Sequence, residues 1–206
     1  VPGRGREGRP VQPHATGHVL GVHRRLGAVE TTGTVLHAGQ LQSGHAEHTA
    51  MLSTMLFDRT VDLHGLDDGH RELLEASALV HNVGLFISHS SHHKHSYYVI
   101  RNSEQLTGFT EREIEMIAVI ARYHRKSLPT EKHAEFAALP KSQKQLVRTL
   151  AGMLRIAIGL DRRHASSVQS LRVFIDDDGV DIEPIARDGA DLDVELYAAR
   201  ERSPLL

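Results

Sequence analysis

Between Leu79 and Asn102 the chain carries a dense set of ionisable rings. An apolar stretch ends in His81-Asn82, and His89, His92, His93 and His95 follow within fourteen residues. An apolar helix has little reason to finish in an imidazole beside an amide, because both groups need hydrogen-bond partners once water is removed. Histidines at this density point to a metal site, an anion site or a polar network around a pocket. Three more polar side chains, His48, His124 and Asp161, fall where a helical stripe should be apolar. Each alone is more often a hydrogen-bonded structural residue. Together with His81 they converge from four helices and favour a pocket.

The walls of that pocket read as basic. His92-His93-Lys94-His95 lies on one side of the helix after Thr110, Arg122-Tyr123-His124-Arg125-Lys126 on the other, and Arg101 between them. Such clusters suit phosphate oxygens, with arginine as a bidentate fork. Cations at a helix C-terminus also complement its dipole, which is a sufficient reason for Arg125 and Lys126 alone. If His92, His93, His95 and His124 titrate near their ordinary value of about 6.5, polyanion affinity should rise below that pH. Ser88, Ser90 and Ser91 lie near histidines, but no nucleophile elbow surrounds them, and no phosphate-cradling glycine loop is present. Asp176-Asp177-Asp178-Gly179 lacks the terminal Glu of a calcium loop and reads as a turn.

The elements that must position these groups are mainly helical. Apolar spacing predicts a helix over 44–63 ended by Gly65, then a second from an Asp67 cap to about Asn82, stopped by Gly84. A short helix is expected at Lys94–Asn102. Thr110-x-x-Glu113 is a capping box for a helix reaching His124, and one turn is expected at Glu135. A long helix spans Lys141 to about His164, with Leu146, Leu150, Met153, Ala157 and Asp161 on one face. The period then switches to two: Ser170–Ile175 and Val180–Ile185 alternate around Asp177-Asp178-Gly179, a hairpin. Asp191 can cap a last helix running to Arg202.

Composition bounds the function classes. The chain has 206 residues, 40% hydrophobic and 24% charged, enough for a real core. No apolar run approaches the roughly 20 residues of a membrane span, so no membrane role is expected. A formal charge of -2 supplies no global field for nucleic acid, and any anion site must be local. There is no cysteine, which excludes disulfides and thiolate chemistry. Residues 1–40 hold eight of the 17 glycines and no Lys, Asp, Ile, Met, Phe or Tyr. They are expected to be poorly ordered or atypical in origin, with weak helicity over 17–30. Residues 41–166 form the helical domain and 167–206 a small α+β element.

Four motifs in order resemble the C-terminal region of the exopolyphosphatase and guanosine pentaphosphate phosphatase (Ppx/GppA) family. They are HAEHTAMLSTMLFD (45–58), LLEASALVHNVGLFISHSSHHKHSYYVIRN (73–102), IARYHRK (120–126) and LAGMLRIAIGLDRRH (150–164). The resemblance covers residues 44–206. It implies an HD-type helical bundle followed by a small hairpin and a C-terminal helix. An HD phosphohydrolase holds its metals with a first-helix His, a His-Asp pair and a later Asp. His48 and His81 match the histidines, while Asn82 and Ile158 stand at the two acidic positions. An amide and a hydrocarbon cannot replace carboxylates around a hard cation, so no metal and no cofactor are expected. The Mg2+ chemistry of the full-length family belongs to actin-like lobes that nothing here matches.

The resemblance therefore implies a binding and dimer-forming module of a cytoplasmic phosphatase, itself without catalysis. Its expected partners are inorganic polyphosphate, a guanosine tetra- or pentaphosphate, and a second copy of itself. The expected contact residues are His92, His93, Lys94, His95, Arg101, Arg122, His124, Arg125 and Lys126, with Asp161 in the pocket. A metal-dependent HD phosphohydrolase and a purely structural dimerisation domain are the alternatives.

Overall fold

The computed structural model of the protein describes residues 43–104, 106–177 and 179–206. The expected helicity over 17–30 and the character of residues 1–40 lie outside these. Eight α-helices and one antiparallel hairpin make up the described regular structure, apart from short 3-10 turns. In chain order the helices are α1 (Ser43–Arg59), α2 (Val61–His64), α3 (Asp68–Val80), α4 (His92–Arg101), α5 (Glu111–Arg122), α6 (Ala134–Ala137), α7 (Lys141–Leu160) and α8 (Asp193–Arg200). The hairpin is β1 (Val168–Asp176) and β2 (Gly179–Ala186), between α7 and α8.

Helix α7 is the axis. From Leu150 to Leu160 every residue except the half-buried Ile158 is buried, and α1, α3, α5 and α8 all pack on it. A helix apolar on nearly all sides has to be wrapped in this way. Gly159 lets α8 come close: a Cβ there would lie 2.6 Å from Ala199 Cα. Helices α3 and α4 complete the bundle by packing on α5.

The expected elements form with shifted ends, each for a local reason. The 44–63 helix is interrupted at Thr60, whose hydroxyl donates to the Leu56 carbonyl at 2.8 Å and competes with the helix ladder. Gly65, at φ 60°, closes α2 in the left-handed region. Asp67 caps α3 by accepting from the His70 N–H at 3.1 Å. The Thr110–Glu113 capping box has both of its arms. Helix α7 stops at Leu160 rather than near His164, because the Asp161 carboxylate turns away from the ladder to accept the Ser166 N–H at 2.9 Å. Before α8, Asp191 accepts the Asp193 N–H at 2.9 Å from one residue outside the cap position.

Gly84 differs from its sequence reading in kind. It does not end α3, which has already finished at Val80. It lies in the 3-10 turn Val83–Phe86, pressed against α4 so closely that a Cβ would stand 2.2 Å from the His92 carbonyl oxygen and the Ser96 nitrogen. Its N–H donates to Ser96 Oγ, and that hydroxyl donates on to the His81 carbonyl at 2.6 Å. The end of α3 is thereby stitched to α4, which fixes His81 against His92. Since the clash is with backbone, Gly84→Ala should destabilise the protein by about 3 kcal/mol or more. Urea denaturation checks this, and an unchanged midpoint would contradict the contact.

Candidate functional site

Two histidines arise from the same local device. His81 Nδ1 lies 2.6 Å from the Ala78 carbonyl and His124 Nδ1 lies 2.7 Å from the Ala121 carbonyl, each three residues back at the end of α3 and of α5. Helix ends leave carbonyls unbonded, and a ring N–H donated backward satisfies one of them. This places the proton on Nδ1 and leaves Nε2 of both rings as a lone pair facing the space between the helices. His124 Nε2 meets His92 Nε2 at 3.1 Å, so His92 is the donor. Arg125 then donates to His92 Nδ1 at 3.0 Å. His81 Nε2 is buried without a hydrogen-bond partner.

The rings continue as an array. His45 stacks on His164 with centroids 3.7 Å apart and meets the edge of His81 at 5.5 Å. His81 meets His124 at 5.0 Å, and His124 stacks on His92 at 5.1 Å. His93 closes the row against His92 and His124. Six imidazoles, from α1, α4 and the turns that follow α3, α5 and α7, thus touch in sequence.

Asp161 anchors the near end. Its carboxylate accepts from His45 Nδ1 at 2.7 Å and from the Ser166 N–H at 2.9 Å. His48 Nδ1 lies 3.1 Å from its other oxygen but is not aligned as a hydrogen bond. His48 Nε2 donates to the Val168 carbonyl at 2.7 Å, and Arg59 donates to the Leu171 carbonyl at 2.7 Å, so α1 carries the hairpin. Burial pushes the Asp161 pKa up, but the His45 bond, the nearby His48 ring and the Ser166 N–H outweigh it, and the carboxyl stays well below the usual carboxylate range.

These contacts decide how a metal would fit. The HD resemblance implies a divalent cation here, yet the one carboxylate at hand already serves two imidazoles and an amide, and both nitrogens of His48 face protein. Among the described residues no group of three or more His, Asp or Glu has metal-holding geometry. The residues do not fit the ion. The carboxylate that faces the first-helix histidines is Asp161, whereas Ile158, one turn earlier, packs against the core. His45 and His164 were not singled out from sequence. The spacing of His45 and His48, three residues apart and so on one helix face, was the available signal for the first.

The expected basic residues are distributed differently. His92, His93 and His124 are buried, His95 is half-buried, and Lys94 and Lys126 are exposed. Arg101 pairs with Glu111 and Glu115, and Arg122 pairs with Glu135. These two guanidiniums are therefore neutralised at rest. Arg125, Arg155, Arg162 and Arg202 have no carboxylate partner among the described residues. Arg155 donates to the Tyr123 carbonyl at the end of α5, and Arg202 to the Ala198 carbonyl at the end of α8. Burial lowers the pKa of Arg202, and the charges of Arg162 and Arg125 lower it further; Arg155 is lowered by burial and by Arg202. Arg202 thus lies within electrostatic reach of Arg125, Arg155 and Arg162. Arg155, Arg162 and Arg202 were missed because they come together only through the fold.

A cavity of about 750 Å3 lies elsewhere. It is an apolar groove beside Leu56, Leu73, Met116 and Met153, and none of the histidine array lines it. No described helix is long and apolar enough to cross a membrane.

The array also corrects the expected pH response. Burial holds His81 down at about 3 and, with the charges of Arg122 and Arg125, His93 at about 4; His124 lies well below its ordinary value, and His92 is lowered too. The lowered pKa of each ring reduces the positive charge it can offer an anion near pH 6. The linkage instead concerns stability. The unfolded histidines take up protons near pH 6.5 and the folded ones do not, so stability present above 6.5 is lost as pH falls toward 4. Asp161 acts in the same direction only below about pH 4. A loss on the order of a few kcal/mol between pH 7 and pH 4.5 is expected in denaturant titrations. Flat stability over that range would contradict the buried neutral array.

Comparison with known proteins agrees with the motifs. The family model for Ppx/GppA phosphatase, domain III, matches residues 30–185. It begins upstream of the region where the motifs were found. Among curated relatives, a guanosine-5'-triphosphate,3'-diphosphate pyrophosphatase of Pseudoalteromonas translucida is 31% identical over 112 residues, 54% of this chain and 22% of that protein. Proteins of the same name from Vibrio vulnificus and Pseudoalteromonas atlantica are 29% and 26% identical over 140 and 131 residues, 68% and 62% of this chain. The chain spans about a quarter of the length of these relatives. It belongs to the Ppx/GppA phosphatase family and carries that family's domain III.

Proposed function

We propose that this Ppx/GppA domain binds phosphate polyanions, either inorganic polyphosphate or a guanosine tetra- or pentaphosphate, and performs no hydrolysis by itself. The observation that carries the reading is the group of four guanidiniums, Arg125, Arg155, Arg162 and Arg202, with no carboxylate partner among the described residues. Folding brings like charges together at a cost, and an anion spanning them relieves it. Helix-end carbonyls offset part of the charge on Arg155 and Arg202, but Arg125 and Arg162 have no such contact. Lys126, exposed beside Arg125, extends the face. The names of the relatives, which concern a guanosine pentaphosphate, are consistent with this ligand class.

The metal-dependent hydrolase reading has less support, because Asp161 is held by its own histidines. A homodimer and a cytoplasmic setting complete the proposal, on the strength of the family resemblance.

Arg162→Gln with Arg202→Gln should weaken binding of long-chain polyphosphate about tenfold to a hundredfold, at on the order of 1 kcal/mol per charge. The difference should shrink as salt rises. Fluorescence titration at two salt concentrations checks this. Affinity that ignores both salt and the double substitution would refute the polyanion face.

A further inference from the structure

A second feature lies beyond the end of α5. A cavity of about 90 Å3 is lined by His93, Lys94, Arg122, Tyr123, Ser127 and His133. A single water needs only about 10–15 Å3 measured this way, so the cavity has room for several waters or one tetrahedral oxyanion.

Its chemistry is one-sided. Lys94 presents an ammonium and Ser127 a hydroxyl. Tyr123 Oη and His133 Nδ1 are 2.9 Å apart. With the phenol as donor, Nδ1 is the acceptor and the His133 proton sits on Nε2, a further donor. His93 Nδ1 is buried with no hydrogen-bond partner. Arg122 is buried, stacked on the Tyr123 ring, and paired with Glu135. The charges of Arg122 and Lys94 both act on His133, which places the two cations around the same space. The lining thus offers donors on Lys94, Arg122, Ser127 and His133 Nε2, and a carboxylate, Glu135, is held on one of them.

We propose that this cavity seats a single phosphoryl group, the end of the polyanion, with Lys94, Arg122, Ser127 and His133 donating to its oxygens. Glu135, on the single turn of α6, is the internal anion that holds Arg122 until the phosphoryl group displaces it. A carboxylate and a phosphoryl oxygen compete for the same guanidinium edge. The resting pair keeps a buried cation compensated, and the exchange leaves it compensated by the ligand instead. This inference rests on the polyanion reading and adds a terminus-specific subsite to it. The shared chemistry, a terminal phosphoryl group, occurs both in polyphosphate and in guanosine polyphosphates.

The test is calorimetric titration of the full 206-residue chain with pyrophosphate, tripolyphosphate, guanosine tetraphosphate and long-chain polyphosphate. Lys94→Ala, at an exposed residue, should weaken pyrophosphate about tenfold, and Glu135→Gln should tighten it by about the same factor. Arg162→Gln with Arg202→Gln should leave pyrophosphate unchanged while weakening the long chain. Thermal melts establish that each variant is folded, and Ser127→Ala, expected to weaken pyrophosphate severalfold, replaces Glu135→Gln if that variant is not. A tighter response to tripolyphosphate than to the guanosine ligand assigns the subsite to inorganic chains; the reverse assigns it to the nucleotide. Pyrophosphate affinity unmoved by Lys94→Ala and by the second variant overturns the subsite. If long-chain polyphosphate still binds in that case, the polyanion face stands without it. If no phosphate ligand binds, both fall.

Discussion

The carboxylate of Asp161 is the constraint on which the rest of the site depends. It lies at the end of the central helix, buried, and is kept ionised by His45, by His48 close to its second oxygen and by the Ser166 amide. An unpaired buried charge would cost several kcal/mol, and the surrounding donors make burial tolerable. They do so by drawing three segments together: α1 through its histidines, the turn after α7 through Ser166, and the hairpin through the His48–Val168 bond. In a metal-binding HD arrangement such a carboxylate faces an ion. Here it is a structural clasp.

Once His45 is fixed, the other rings follow by contact. The stack runs from His164 through His45, His81 and His124 to His92, and helix-end carbonyls set the tautomer of two of them. Burial makes His81, His92, His124 and His164 weaker bases than a free imidazole. The positive charge lies around the array, on Arg125, Lys126, Arg162 and Arg202. In this arrangement histidines supply rigidity and arginines supply the field.

Much of the fold was legible because periodicity and caps are local. The Thr110–Glu113 box, the Asp67 cap and the change of period before the hairpin all produced the elements they indicate. Ends were less legible where a side chain competes with the backbone ladder, as at Thr60 and Asp161. The site was half legible. His48, His81, His124 and Asp161 could be read as converging because each breaks an apolar stripe. Glu135 as the partner of Arg122, and Arg155, Arg162 and Arg202 as neighbours of Arg125, could not. Those juxtapositions join residues between 13 and about 77 positions apart in the chain, and no local pattern records them. The pH response was misjudged for the same reason: the pKa of a histidine depends on its burial, which spacing alone does not give.

We propose that the histidine–carboxylate cluster acts as a structural clasp rather than as a metal centre. The most direct measurement is the denaturant stability of the protein and of Asp161→Asn, each with and without manganese or zinc. Removing one partner of a buried ionic cluster should lower stability by about 3–5 kcal/mol, and neither protein should be stabilised by the metal. A wild-type protein strongly stabilised by stoichiometric metal, with that gain abolished in Asp161→Asn, would contradict the claim.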